Sequence, residues 1–183
     1  MKTSFAVMGV AAGALCISLA ACDRVLTVTN PGALDEGQLT DPALEQFVVN
    51  GVIGEFQYAY GFYALWSGVL ADETFTDHTN VSVRQTSLHN FDDLNDQTTD
   101  VFGNLSRARA SADDGLVRLQ AILGAGYGKS LNVARVFAYG GYSYVLLGEG
   151  YCDAPVALSA GLPPAELFRR AIVRFDRAPR ERR

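Results

Sequence analysis

The helical architecture follows chiefly from residues 100–155, which read DVFGNLSRARASADDGLVRLQAILGAGYGKSLNVARVFAYGGYSYVLLGEGYCDAP. Apolar or small residues recur through this stretch every three or four positions, which is the spacing of one helix face. The glycine-rich residues 124–128 interrupt the pattern, and residues 148–150 end it. Two long helices joined by a tight turn are therefore predicted, and the apolar faces of such a hairpin need further helices to cover them.

Small residues form a second row on the later helix, at Ala134, Ala138 and Gly141, and Val145 continues it. Small side chains let the axis of another helix come close. We therefore expect a further helix to pack on this row.

Another helix is predicted to begin at Asp41, because aspartate caps helix N-termini well. We expect close packing to require Gly51 and Gly54, since each glycine weakens a helix by about 1 kcal/mol relative to alanine. The helix is expected to fray near Gly61 or Gly68. Its expected apolar stripe consists of Leu44, Phe47, Val48, Val52, Phe56 and Ala59.

Residues 72–95 are polar and are predicted to form a long irregular loop, and long loops in compact domains tend to be functional. A last helix is predicted to start at Pro163-Pro164 and to stop before Pro179. Its expected buried face comprises Leu167, Phe168, Ala171, Ile172 and Phe175. The predicted fold class is all-α, with about four main helices and long loops.

The composition indicates a folded acidic protein, since 49% of the 183 residues are hydrophobic and 19% are charged. The formal charge of −5 conceals an asymmetry, because residues 22–168 hold 18 acidic against 7 basic side chains. An acidic body argues against nucleic acid as a partner. The arginine-rich residues 179–183 are interpreted as a solvated tail.

The first residues of the chain read as a targeting segment. Lys2 supplies a positive start, and an apolar stretch too short to span a membrane comfortably follows it. The stretch ends at residues 19–22, LAAC, which resemble a bacterial lipobox, where the chain is cut before a lipidated cysteine. We predict a lipoprotein signal peptide over 1–21, a lipid anchor on Cys22 and an extended tether over 22–40. An ordinary signal peptide with a chance cysteine is the alternative.

Cys152 is expected to be the one unmodified cysteine of the mature chain, because Cys16 leaves with the leader and Cys22 carries lipid. No intramolecular disulfide can then form, so packing must hold the fold together. We expect Cys152 to be a small buried hydrophobe after the third helix.

Two stretches resemble a phosphate-binding loop and a metal site, but neither has the pattern that such a site requires. Residues 124–130, GAGYGKS, are one residue short of a phosphate-binding loop and follow a predicted helix, so an interhelical turn capped by Ser130 is favoured. Residues 72–78 contain three acids and a histidine, but a metal site needs three or four converging ligands. The chain has only two histidines. No catalytic residue, metal or cofactor is predicted.

Trp66, the one tryptophan, is the best single candidate for a platform under a sugar ring, and burial in the core is the competing interpretation. Asp72 and Glu73 are candidate ligand-binding residues, or else they cap local backbone in a solvated loop. Four tyrosines could stack on sugars or belong to the core, namely Tyr139, Tyr142, Tyr144 and Tyr151.

Arg107 and Arg109 could hold anionic groups of a ligand. Asp113 lies four residues after Arg109, and Asp114 lies four before Arg118. This spacing favours ordinary charge pairing on a solvent-facing helix.

The chain resembles the N-terminal part of the SusD/RagB family of outer-membrane nutrient-binding lipoproteins, and the resemblance covers nearly the whole mature chain. The matching pieces, in order, are Cys22 with Asp23, VTNPG at 28–32, NG at 50–51, WSGVLADE at 66–73, LSRAR at 105–109, VARVFAY at 133–139, LLGEGYCDAP at 146–155 and AELF at 165–168. Family members are usually longer, so residues 41–178 are expected to be an incomplete helical domain of this kind.

The resemblance implies tetratricopeptide-like helical hairpins and a lipid-anchored lid, at the cell-surface face of the outer membrane, over a SusC-type TonB-dependent transporter. Such a lid captures oligosaccharides or other nutrients, passes them to the transporter and is not an enzyme. The alternative is a lipid-anchored helical-repeat scaffold that binds a protein partner without sugar. An exposed tyrosine or tryptophan patch would favour the binder, and a smooth concave helical groove would favour the scaffold.

Overall fold

Helices account for most of the computed structural model, which describes residues 37–38, 41–90, 92 and 95–178. The helices of this part are α1 (Glu45–Leu70), α2 (Val81–Ser87), α3 (Asp96–Leu123), α4 (Leu131–Gly150) and α5 (Pro164–Arg177). A two-residue antiparallel hairpin, β1 (Ala154–Pro155) and β2 (Gly161–Leu162), lies between α4 and α5 in the chain. The all-α prediction is confirmed here. The predicted signal peptide, lipid anchor, basic tail and nearly all of the tether lie outside the described residues.

The start of α1 is confirmed, because a carboxylate oxygen of Asp41 accepts a hydrogen bond from the Ala43 N–H at 2.8 Å. A 3-10 turn, Pro42–Leu44, leads from this cap into the helix. Of the two positions near which α1 was expected to fray, Gly61 is wrong because the helix continues through it, whereas Gly68 lies close to the observed end at Leu70.

Close packing does not require the glycines of α1 that were expected to need it. A methyl group added at Gly51 or Gly54 would meet nothing within 4 Å, and the same holds for Gly61. Phe47, expected in the buried stripe, is exposed. The face of α1 that packs inward is instead the one carrying Val49, Val52, Ala59, Trp66 and Val69.

Residues 72–95 are not wholly irregular, because α2 lies within them. The Asn80 side chain caps α2 by accepting from the Ser82 N–H at 2.8 Å and the Val83 N–H at 3.3 Å. The helix was missed because only Val83 and Thr86 of its residues are buried, too few for a visible apolar period. The following helix begins at Asp96, earlier than the apolar pattern indicated.

The interhelical turn predicted at residues 124–130 is confirmed. Gly124 ends α3 with a φ of 49°, and a 3-10 turn, Gly124–Lys129, follows. The Ser130 hydroxyl then caps α4 by accepting from the Asn132 N–H at 3.2 Å. The segment is therefore a helix connection.

Long helices that follow one another in the chain run in opposite directions. Arg107 of α3 pairs with Glu55 of α1 at 3.0 Å, while Gly115 of α3 faces Val52, nearer the start of α1. Tyr151, just after α4, reaches back to Thr98 at the start of α3. Gly148 of α4 lies against Phe168 of α5, and Gly141, earlier in α4, lies against Phe175, later in α5. The helix α5 therefore also runs antiparallel to α4.

The close approach of a further helix to the small-residue row of α4 is confirmed, and α5 is that helix. A methyl group added at Gly141 would lie 2.6 Å from the Phe175 ring. Of the face predicted to be buried, Leu167 and Ala171 are buried and Phe175 is partly buried, whereas Phe168 and Ile172 are exposed. The predictions of Phe168 and Ile172 are wrong because the apolar residues of α5 cover a wider arc than the one that faces inward.

The buried residues form two clusters, and α1, α3 and α4 each contribute to both. The first holds Trp66, Leu105, Leu147 and Leu167, and the second holds Val49, Leu119 and Val133. Cys152 belongs to neither cluster and is exposed, so its expected burial is wrong. Among the described helices, none is both long enough and apolar enough to cross a bilayer.

Candidate functional site

A cleft of about 380 Å³ opens where α1 and α4 end and α3 begins. The α1 side presents one helix face, formed by Tyr63, Trp66, Ser67 and Leu70. Gln97, Thr98 and Val101 supply the α3 side, and Glu149, Gly150 and Tyr151 supply the α4 side. We call this space the Trp66 cleft, and it combines aromatic rings with hydroxyl, amide and carboxylate groups.

Trp66 borders the cleft but is mainly a core residue, being only 8% exposed. Its indole N–H is closed off from solvent and has no hydrogen-bond partner among the described residues. The competing interpretation, core burial, is therefore confirmed for most of the ring, and only part of it can face a bound molecule.

Two tyrosines in the lining of the cleft have raised pKa values. The Tyr151 hydroxyl donates to the Thr98 carbonyl at 3.1 Å, and burial raises the pKa of Tyr151. Burial also raises the pKa of Tyr63, and the nearby Glu149 carboxylate raises it further. Both phenols therefore stay neutral at physiological pH, because a phenol already ionises near pH 10 without these effects.

Asn95 fixes the α3 side of the cleft and was not recognised from the sequence. Its side chain is buried, accepts from the Gln97 N–H at 3.1 Å and donates to the Ser82 carbonyl at 3.0 Å. One residue thus caps α3 and ties α2 to it. An asparagine directly before the acidic Asp96 was the available signal, since both are typical of a helix start.

Asp72 and Glu73 do not line the Trp66 cleft, although Ala71 before them does. Both are exposed and lie in the turn that ends α1. The Asp72 N–H donates to Val69 and the Glu73 N–H to Gly68, at 3.3 and 2.9 Å, with Asp72 at a φ of 57°. This is the Schellman pattern of helix termination, with aspartate where glycine usually stands.

His89 ends α2 as Asp72 ends α1, with a left-handed backbone conformation at a φ of 51°. Its Nε2–H donates to the Leu70 carbonyl at 2.9 Å and lies 3.9 Å from an Asp72 carboxylate oxygen. The imidazole thereby joins the end of α2 to the end of α1. Within the described part of the chain, no three His, Cys, Asp or Glu side chains are grouped to hold a metal ion.

The predicted charge pairs on α3 are confirmed, with Arg109–Asp113 at 2.7 Å and Arg118–Asp114 at 2.6 Å. The first pair does not simply face solvent, however. Arg174 of α5 also donates to Asp113, so one carboxylate joins two guanidinium groups between α3 and α5.

An aromatic cluster that shares no residue with the cleft lining lies where α1, α4 and α5 meet. It consists of Phe56, Tyr60, Tyr139, Tyr142 and Phe175, whose neighbouring ring centroids lie between 5.1 and 6.4 Å apart. Tyr60 is 51% exposed and Tyr142 49%. Of the tyrosines considered from the sequence, Tyr139 and Tyr142 belong here, while Tyr144 is buried and Tyr151 lines the cleft.

Comparison with known proteins found no match, whether among family models, curated proteins or solved structures. The function must therefore be argued from this chain's own residues and geometry.

Proposed function

We propose that the protein is a lipid-anchored, SusD-type binding protein of the outer membrane that captures a glycan or similar nutrient and delivers it to a SusC-type TonB-dependent transporter. The observation that supports this most is the Trp66 cleft. Its volume lies in the range of small-molecule sites, and such sites combine apolar walls with a few polar groups that orient the ligand.

The surroundings of the cleft also suit a binding role. Three aromatic side chains, Tyr63, Trp66 and Tyr151, offer apolar surface for a sugar ring, and Gln97 offers a polar amide. The half-exposed tyrosines of the aromatic cluster supply the tyrosine patch expected of a binder. The alternating helices α1, α3, α4 and α5 are compatible with a tetratricopeptide-like stack, which is part of the proposal.

The anchor is tested by growing a bacterial host that expresses the full chain with radiolabelled palmitate. Label is expected in the wild-type protein and in a Cys152→Ser control, and its loss is expected in Cys22→Ser. Equal labelling of all three proteins would exclude Cys22 as the anchor.

Ligand capture is tested by isothermal titration of the detergent-solubilised full chain with a panel of oligosaccharides. Tyr63→Ala is expected to weaken binding at least tenfold, whereas Tyr58→Ala, an exposed α1 residue outside the cleft, is expected to leave it unchanged. If no oligosaccharide binds but a protein partner can be identified and reconstituted, the scaffold hypothesis replaces this one.

A further inference from the structure

We infer that the Trp66 cleft selects a ligand that carries a protonated amine, such as an amino sugar, over the corresponding neutral or anionic ligand. The inference rests on the proposed binding function and adds the charge class of the ligand. Three features of the cleft support a preference for a cation: the charge of its lining side chains, the helix dipoles that end at it and its aromatic rings.

The side chains of the cleft supply negative charge and no positive charge. Glu149 is the one acidic residue of the lining, and no lysine, arginine or histidine belongs to it among the described residues. Glu149 is exposed, so it can approach a cation without first losing most of its hydration. An anionic ligand would face this carboxylate with no compensating charge.

The end of α4 adds to this preference. The last four carbonyl groups of a helix lack partners within it and carry the negative end of its dipole. Gly150, the last residue of α4, lines the cleft, and Tyr151, which follows it, is extended. The φ of Tyr151 is −136° and its ψ is 138°. The negative end of the α4 dipole therefore lies at the cleft, where it favours a cation over an anion.

The other two helix ends at the cleft are already occupied. The last carbonyls of α1 accept from the N–H groups of residues 72–74 and from His89. The start of α3, which would attract an anion, has its Gln97 and Thr98 N–H groups bonded to Asn95 at 3.1 and 3.4 Å. The net effect of the helix ends therefore favours a cation.

The aromatic rings favour the same charge. Tyr63, Trp66 and Tyr151 all line the cleft, and the faces of aromatic rings attract organic cations. A ring-shaped ligand that carries an ammonium group can use these apolar surfaces and the Glu149 carboxylate together. A charge-assisted hydrogen bond to that carboxylate is then expected to make about a tenfold difference in affinity or more.

The test uses three sugars that differ mainly in charge, D-glucosamine, N-acetyl-D-glucosamine and D-glucuronate, with choline as a cation that is not a sugar. Trp66 is the one tryptophan, so its fluorescence in the full chain, purified in detergent, reports binding at the cleft. Glucosamine is expected to bind at least about tenfold more tightly than the other two sugars. Glu149→Gln is expected to reduce that preference to less than about threefold, with Glu55→Gln as a matched control outside the cleft.

Each outcome separates this inference from the proposed function. Equal binding of the three sugars, or a preference that survives Glu149→Gln in a protein of unchanged thermal stability, overturns the inference and leaves the glycan-binding proposal standing. Binding of choline without any sugar supports the charge preference and overturns the glycan proposal. Absence of binding by all four probes, with fluorescence and titration in agreement, overturns the inference.

Discussion

Asp72 adopts a backbone conformation that is unfavourable for residues with a side chain, because its φ of 57° lies in the left-handed region. Its carboxylate also stands at the C-terminus of α1, where the helix dipole disfavours negative charge. We expect Asp72→Gly to raise the free energy of unfolding by about 1 kcal/mol, measured by urea denaturation.

The matched control is His89→Gly, which relieves the same backbone conformation but removes a hydrogen bond. The imidazole donates to the Leu70 carbonyl, and that loss offsets the gain. A near-neutral change is therefore expected for His89→Gly. If Asp72→Gly were destabilising, the interaction of its carboxylate with His89 Nε2, 3.9 Å away, would have to outweigh the relief.

Asp113 separates two positive charges, since it accepts from both Arg109 and Arg174. Burial, followed by repulsion from Arg109, lowers the pKa of Arg174. Asp113→Ala is expected to destabilise the fold by about 1–3 kcal/mol, less than for a fully buried ion pair because the Asp113 side chain is 38% exposed. Thermal unfolding followed by circular dichroism measures the change.

Asp114 is the neighbouring control, because its side chain is 59% exposed where it pairs with Arg118 on the same helix. Asp114→Ala is expected to cost less than about 0.5 kcal/mol. Equal losses in the two variants would mean that the link between α3 and α5 contributes no more than a surface ion pair.

At the scale of helices, α4 and α5 are held close by glycine. A methyl group at Gly141 would lie 2.6 Å from the Phe175 ring, so Gly141→Ala is expected to destabilise the protein by about 1–3 kcal/mol through overpacking. Gly61→Ala makes the same chemical change in the interior of α1, where the space is open. There a gain of about 0.5–1 kcal/mol is expected, because alanine favours the helix. Changes of the same sign, measured by chemical denaturation, would contradict the packing explanation.

The first turn of α5 carries a pH-dependent contribution to stability. Glu166 accepts from Arg169 at 2.6 Å and from Arg170 at 2.9 Å, and these hydrogen bonds lower the pKa of its carboxyl from 4.5 to about 2. Because the folded-state pKa is depressed, the stabilisation is present above the unfolded-state value and is lost as the pH falls toward 2. The melting temperature of Glu166→Gln is therefore expected to lie below that of wild type at pH 7 and to approach it near pH 2.

The long helices could be predicted from the sequence because each buries one face at regular intervals, as Leu105, Ala108 and Ala112 do in α3. The short helix α2 could not, since two buried residues make no period and its cap at Asn80 resembles ordinary loop chemistry. The exposure of Ile172 was mispredicted for a related reason. Periodicity identifies an apolar arc, whereas the neighbouring helices determine which part of that arc is covered.

At the scale of the whole molecule, the candidate site was only partly visible in the sequence. Trp66 was identified because it is the one tryptophan, but Tyr63, Thr98 and Glu149 come from three helices that meet only in the folded chain. Asp72 follows Trp66 closely in sequence and still lies outside the cleft lining, because the left-handed turn at the end of α1 leads the chain away. Proximity along the chain was therefore a poor guide to proximity in the site.

The two buried clusters are expected to unfold as one unit, because α1, α3 and α4 run through both. Leu119→Ala, in the cluster without Trp66, is expected to cost about 2–5 kcal/mol. It is expected to lower the urea midpoint seen by Trp66 fluorescence by as much as the midpoint seen by far-UV circular dichroism. Val117→Ala, an exposed change on the same helix, is expected to alter stability by less than about 0.5 kcal/mol. A Trp66 midpoint left unmoved by Leu119→Ala would show that the clusters unfold separately, and the cleft would then depend on the first cluster alone.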